Sequence, residues 1–145
     1  MDLTKGDAIV FPGFTLSIAG RQFSDAPDYW DGNWLLAECV CTAEGRAEKI
    51  AGPFIHLSEV SQLASTFEKL CNGEIETTDL HFIEPEFELT LRRTSPEHFT
   101  VSVRLQRKVP GPSQDFFFTV VEAELLSAIE KCKAILAKYP LRDPE

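Results

Sequence analysis

Phe87-Glu88-Leu89-Thr90-Leu91-Arg92-Arg93-Thr94-Ser95-Pro96-Glu97-His98-Phe99-Thr100-Val101-Ser102-Val103-Arg104-Leu105 decides how this chain folds. Phe87, Leu89 and Leu91 alternate with Glu88, Thr90 and Arg92; Phe99, Val101, Val103 and Leu105 then alternate with Thr100, Ser102 and Arg104. A period of two marks strands with one face buried, and Thr94–His98 between them is turn chemistry. The stretch therefore predicts a long hairpin. Placing Leu91 opposite Val101 keeps both apolar sets on one side and sets Glu88 across from Arg104, a favourable cross-strand pair.

Outward from the hairpin, the period changes to that of a helix on both sides. Upstream, Val60, Leu63, Phe67, Leu70 and Cys71 recur at spacings of three and four, with Ser58 placed to cap and Asn72-Gly73 to stop the helix. Downstream, Leu125, Leu126, Ile129, Cys132, Ile135, Leu136 and Tyr139 form an apolar stripe that Pro140 ends, with lysines gathered where they complement the helix dipole. Asp115–Val121 reads as a strand opened by Pro110-Gly111-Pro112. Nearer the start, Asn33–Thr42 and Glu48–Leu57 form a second hairpin turning at Ala43-Glu44-Gly45, preceded by strands over Ala8–Phe11 and Thr15–Phe23. Strands and helices do not alternate along the chain, which disfavours a parallel sheet. The expectation is an α+β fold: a largely antiparallel sheet of about seven or eight strands with two amphipathic helices, about 58–72 and 123–139. Trp34–Cys41 is apolar at both parities and Phe116-Phe117-Phe118 is apolar throughout, so these strands are either covered on both faces or present one face to a partner.

The totals bound the rest. A chain of 145 residues is expected to form a single domain spanning 1–145, large enough to bury a core without staples. Eleven Phe against two Tyr point to a core of apolar rings that need no hydrogen-bond partner. No apolar run is long enough to span a membrane, and MDLTKGDAIVFPGF lacks the pattern of a secretory signal. A cytoplasmic protein is expected, with Cys39, Cys41, Cys71 and Cys132 as reduced, buried thiols.

Fourteen Lys and Arg against twenty-three Asp and Glu give a net charge of −9, which repels nucleic acid and anionic membranes and attracts basic partners. Gln22–Gly45 carries Asp25, Asp28, Asp31, Glu38 and Glu44 with no base. Cys71–Leu91 carries Glu74, Glu76, Asp79, Glu84, Glu86 and Glu88, again with none. Acidic blocks are ordinarily solvated faces, yet two base-free stretches make an acidic patch an explicit expectation. Arg104, Arg107 and Lys108 make a modest basic cluster near aromatic residues, against which the overall charge weighs.

No catalytic constellation is present. The glycines are isolated, no serine stands in a nucleophile motif, and His56, His81 and His98 are too scattered to make a helical metal pair. Cys39 and Cys41 share a strand face, where small core-filling thiols are commoner than metal ligands. No metal or cofactor is expected. Asp28, Asp31, Glu84 and Glu86 are the carboxylates from which a paired acid and base, as in glycoside hydrolysis, would be drawn. A small-ligand-binding protein or a small carboxylate-dependent hydrolase is accordingly the alternative to a protein-binding function.

Asp28-Tyr29-Trp30-Asp31-Gly32-Asn33-Trp34-Leu35-Leu36 holds both tryptophans and one of the two tyrosines. Two readings stand. The weightier one is a tight loop whose aromatic groups pin it to the sheet; the other is a recognition loop, for which Trp and Tyr are favoured anchors. Tyr29-Trp30-Asp31-Gly32-Asn33-Trp34-Leu35 resembles the Asn-Trp-Leu element of the WapI family of bacterial immunity proteins. The strand Ile18-Ala19-Gly20-Arg21-Gln22-Phe23, the helix Leu57–Leu70 and Phe82-Ile83-Glu84-Pro85-Glu86-Phe87-Glu88-Leu89 fit the same likeness, which spans about Thr15 to Leu105. The family typically has Asn-Leu after its Glu-Pro, where this chain has Glu86-Phe87. The resemblance implies a non-enzymatic antidote that binds and neutralises a cognate polymorphic toxin domain of nuclease type in the cytoplasm. A basic partner would suit the acidic balance, since charge complementarity speeds association and excludes wrong partners. Asp25, Asp28, Trp30, Asp31, Glu84, Glu86 and Glu88 are the residues expected to meet it.

Overall fold

Both hairpins form, and each is extended by two further strands into a sheet of its own. The computed structural model describes residues 7–107 and 110–143; Lys108 of the basic cluster lies outside the described residues. In chain order the elements are β1 Ala8–Phe11, β2 Phe14–Arg21, α1 Tyr29–Gly32, β3 Trp34–Ala43, β4 Arg46–His56, α2 Leu57–Cys71, β5 Thr77–His81, β6 Phe87–Ser95, β7 His98–Leu105, β8 Gln114–Val121 and α3 Glu122–Lys138. The fold is α+β, and its eight strands divide into two four-stranded antiparallel meanders, β1-β2-β3-β4 and β5-β6-β7-β8. Helix α2 joins the sheets and packs against α3.

The register of the deciding hairpin follows from its polarity. Leu91 lies opposite Val101 and Glu88 opposite Arg104. Arg104 nevertheless turns to the next strand, where its Nε donates to Asp115 Oδ1 at 3.0 Å. The β3–β4 turn places Glu44 and Gly45 both at positive φ, 48° and 79°, the backbone that matches the right-handed twist of the strands it joins.

The strands apolar at both parities resolve differently. In β8, Phe116 and Phe118 point inward, while Phe117 is 67% exposed on the outer face. In β3 the pairing shifts between Leu35 and Ala37, so Leu35, Ala37, Cys39 and Cys41 line the inner face. Leu36 is left partly exposed, and Trp34 is buried by the segment that precedes it.

The inner faces meet over phenylalanine rings. Phe14 of β2 lies 6.4 Å from both Phe87 of β6 and Phe118 of β8, Phe54 of β4 lies 5.8 Å from Phe87, and Phe11 of β1 meets Phe67 of α2 edge-on at 6.3 Å. Every Phe except Phe23 and Phe117 is buried, and sheets and helices share one apolar cluster.

Three local expectations change. The cap of α2 is His56 rather than Ser58: the Ser58 amide donates to His56 Nδ1 at 3.3 Å, and Glu59 Oε1 accepts from the His56 amide at 2.9 Å. Sequence reading favoured serine because its hydroxyl is the commoner cap, but a ring nitrogen accepts equally well. Leu126 drops out of the α3 stripe and is half exposed, because the helix meets α2 along Leu125, Ala128, Ile129, Cys132 and Ile135. Cys71 is only half buried, at the mouth of the α2–α3 groove, whereas Cys39, Cys41 and Cys132 are in the core. Burial alone pushes the Cys132 thiol up to about 12.

Candidate functional site

The aromatic segment folds into one helical turn fastened at several points. Asp28 caps it, its Oδ2 accepting from the Asp31 amide at 2.9 Å. Asn33, which ends it, is fully buried and uses its whole side chain. Nδ2 donates to the carbonyls of Tyr29 (2.7 Å) and Arg142 (3.0 Å), while Oδ1 accepts from the Arg142 amide (2.9 Å) and Arg21 Nη1 (3.4 Å). Gly32 is required by crowding: a Cβ there would collide with the Ala26 carbonyl and press on Arg142 Cδ.

The two tryptophans, four residues apart, have opposite fates. Trp34 is 6% exposed and Trp30 is 51% exposed. Trp30 stands edge-on to Trp34 at 5.4 Å and stacks on the buried His56 ring at 5.5 Å, presenting its other side to solvent. Since His56 Nδ1 accepts from Ser58, its Nε2 carries the hydrogen directed at the Tyr29 and Trp30 carbonyls, each 3.3 Å away.

His56 also leads to the second acidic stretch. Glu59 is nearly fully buried, and its Oε2 accepts from the Ile83 amide at 2.7 Å. Burial raises the Glu59 pKa, the His56 and Ile83 amides oppose that rise, and the nearby charge of Glu84 adds to it. Two segments about fifty residues apart, one carrying Trp30 and the other Ile83 and Glu84, are thus tied through a single histidine–glutamate pair.

Of the residues singled out in the sequence, the structure brings together Asp25, Asp28, Trp30 and Asp31. Asp25 and Asp31 line one hollow of about 480 Å³ with Gln22, Phe23, Ser24 and Ala26. Glu84 joins them through Glu59, and Phe23 and Ile83, which sequence reading did not select, add half-exposed apolar surface. Glu86 faces a different hollow with Lys49 and Arg107, and Glu88 lies on the outer sheet face with Arg104, Asp115 and Phe117. Among the described residues, none of Asp25, Asp28, Asp31, Glu84, Glu86 and Glu88 has a Lys, Arg or His nitrogen within 4.0 Å, whereas Glu38, Glu48, Glu68, Glu76, Asp115 and Glu130 do.

Features that would serve chemistry are arranged otherwise. Asp28 is engaged as a cap, and the carboxyl raised by burial, Glu59, holds a backbone amide on each oxygen. A depression of about 680 Å³ between α2 and α3 is lined by Glu68, Cys71, Glu122, Leu126 and Lys133 among others and includes none of the four carboxylates considered for acid–base work. Among the described residues no three His, Cys, Asp or Glu side chains converge to hold a metal.

The sequence pattern of the Immunity protein WapI-like family matches residues 5–140. This chain belongs to that family. Its Asn-Trp element is thereby given a physical role: Asn33 and Trp34 are the buried residues that fasten the turn, and Trp30 is the one left at the surface. No curated protein sequence matches the chain. Among solved structures, WHY1 from Arabidopsis thaliana has a TM-score of 0.53 at 13% identity, covering 88% of this chain and 78% of that one. The plant transcriptional regulator PBF-2 has a TM-score of 0.52 at 12% identity, covering 87% and 75%. WHY3 from Arabidopsis thaliana has a TM-score of 0.50 at 16% identity, covering 91% and 86%. At these identities the likeness is one of fold. Among the described residues no helix is long and apolar enough to cross a membrane.

Proposed function

We propose that this WapI-like immunity protein neutralises a cognate polymorphic toxin domain, of nuclease type, by binding it in the cytoplasm and without catalysis of its own. Family membership supports the immunity role. The observation that carries the choice of surface is the exposed Trp30 ring, held on His56 in the same helical turn as Asp31 and its cap Asp28, which among the described residues have no basic side chain within salt-bridge distance. A rigid aromatic group on a backed turn is a hot-spot geometry, and unpaired acids around it attract a basic partner. Asp25, Asp28, Asp31 and Glu84 form this surface with Trp30; Glu86 and Glu88, which face other hollows, are left out of it. Nucleic acid is an unfavourable partner, since a chain of net charge −9 repels phosphate.

The test is capture with this chain as bait at low salt in lysate of its own organism, followed by expression of what is caught. The expected catch is the C-terminal domain of a large secreted protein, toxic when expressed alone and harmless beside this chain. Reversing Asp25, Asp28, Asp31 and Glu84 together to Lys should slow association at least tenfold, and high salt should do the same to the parent, because the screening length falls from about 8 Å to about 3 Å between 0.15 M and 1 M salt. Protection that survives the fourfold reversal would refute the surface; capture of metabolic enzymes alone would refute the role.

A further inference from the structure

We propose that the segment following α3, residues 139–143, is a strap that holds the Trp30 turn in its binding conformation, with Asn33 and Arg142 as positioning residues. The inference rests on the surface proposed above. Its basis is the concentration of contacts between two regions more than a hundred residues apart. The Arg142 amide and carbonyl both bond the Asn33 side chain, so one amide side chain pairs with that backbone as a neighbouring strand would. The Arg142 guanidinium then reaches the other limb of the loop, where Nη1 donates to the Ala26 carbonyl at 2.7 Å and the Phe23 carbonyl at 3.4 Å. Arg21 completes the clamp: Nη1 donates to the Gly32 carbonyl and Nη2 to the Pro140 carbonyl at 2.6 Å. Burial and the neighbouring Arg142 charge lower the Arg21 pKa.

Both arginines are thus taken up by carbonyl oxygens of the loop and of Pro140, and among the described residues no ion pair engages Asp25, Asp28 or Asp31. Little else orders this loop. Between Gln22 and Asp28 the backbone contributes one turn bond, Ala26 N to Phe23 O at 3.3 Å, besides the bonds at its two ends, Gln22 N to Trp34 O and Gly32 N to Asp28 O. Without the strap, Phe23–Asp28 would keep its acids but lose their arrangement around Trp30, and a partner would have to order the loop on binding. Ordering costs of that kind appear as lost affinity for an unchanged contact surface.

The test compares the parent, Arg142→Ala, Arg142→Lys and a chain ending at Tyr139, using amide hydrogen exchange and binding to the toxin domain recovered by the capture experiment. The expected result is exchange at least tenfold faster in 22–33 for the shortened chain, with 87–105 unchanged. Arg142→Ala should show an intermediate effect and Arg142→Lys should recover part of the protection. Toxin affinity should fall in the same order. Unchanged exchange in 22–33 for both the shortened chain and Arg142→Ala would overturn the strap. If the shortened chain does not fold, Arg142→Ala decides alone. Faster exchange with undiminished toxin affinity would leave the strap standing as a loop clamp and overturn its role in recognition, while the surface itself stands or falls with the fourfold charge reversal.

Discussion

The phenylalanine core between the sheets and the polar joint beneath Trp30 hold this protein together in different ways. The core is broad and redundant: Phe14, Phe54, Phe82, Phe87 and Phe118 touch in a chain of rings, and each loss is met by area alone. The joint is narrow. Asn33, His56, Glu59, Arg21 and Arg142 hold three separate segments through hydrogen bonds, and removing one partner strands another in a buried or partly buried site. The core sets whether the chain folds, and the joint sets where one loop sits.

The largest effect should come from the core. Phe87→Ala removes a fully buried ring that contacts Phe14, Phe54 and Phe82 and should cost about 3–5 kcal/mol, read as a lower urea midpoint with unchanged slope. A loss below that of any joint variant would break the comparison. Asn33→Ala comes next, at about 2–3 kcal/mol, because the Arg142 amide and carbonyl lose their partner together. It should also expose 22–33 to proteolysis before the rest of the chain, which Phe87→Ala should not.

Glu59→Gln is smaller, about 1–2 kcal/mol, because the Gln amide nitrogen turns hydrogens toward a backbone donor where a Glu oxygen accepts. Its pH dependence sharpens the comparison. Burial raises the folded-state pKa of Glu59 above the ordinary 4.5, so the stability tied to its titration is fully present below 4.5 and is lost as pH rises through the raised value. The margin of the parent over Glu59→Gln should therefore be largest in acid and shrink toward neutrality, measured as the difference in Tm from pH 4 to 7. A margin that widens with pH would contradict the buried-carboxyl account. Trp30→Ala should change stability least, by less than about 1 kcal/mol, since half the ring is already in water. The same variant should weaken toxin binding more than any other single change, measured by titration calorimetry.

Much of the fold was legible because it rests on periodicity. The alternation in Phe87–Leu105 sets its own register, and the pairing of Leu91 with Val101 follows from keeping one face apolar. The division into two sheets was not legible, because no local pattern says whether β4 and β5, separated by a helix, lie in one sheet or two. The cap at His56 carried a readable signal, His followed three residues later by Glu, but it stands where serine seemed the more natural choice. Part of the candidate site was visible for the same local reason: Asp25, Asp28, Trp30 and Asp31 are close in sequence and remain close in space. Glu86 and Glu88 follow Glu84 closely in sequence but face other hollows, because the chain bends over 83–86 before it enters β6 and breaks the alternation that would align them.

By itself the sequence determined the acidic balance, the alternating strands, the two long helices and a phenylalanine core, all properties of composition and short-range spacing. Only the tertiary structure decided that Trp34 is buried and Trp30 is not: both rings contact His56, and Trp30 packs over Trp34 with its own other side in solvent. It also brought Arg142 under a stretch without a base of its own, to bond the Phe23 and Ala26 carbonyls there. The physical reason is the same in both cases. Periodicity is a statement about neighbours along the chain, whereas a buried hydrogen bond is satisfied by whichever group the packed fold brings within reach.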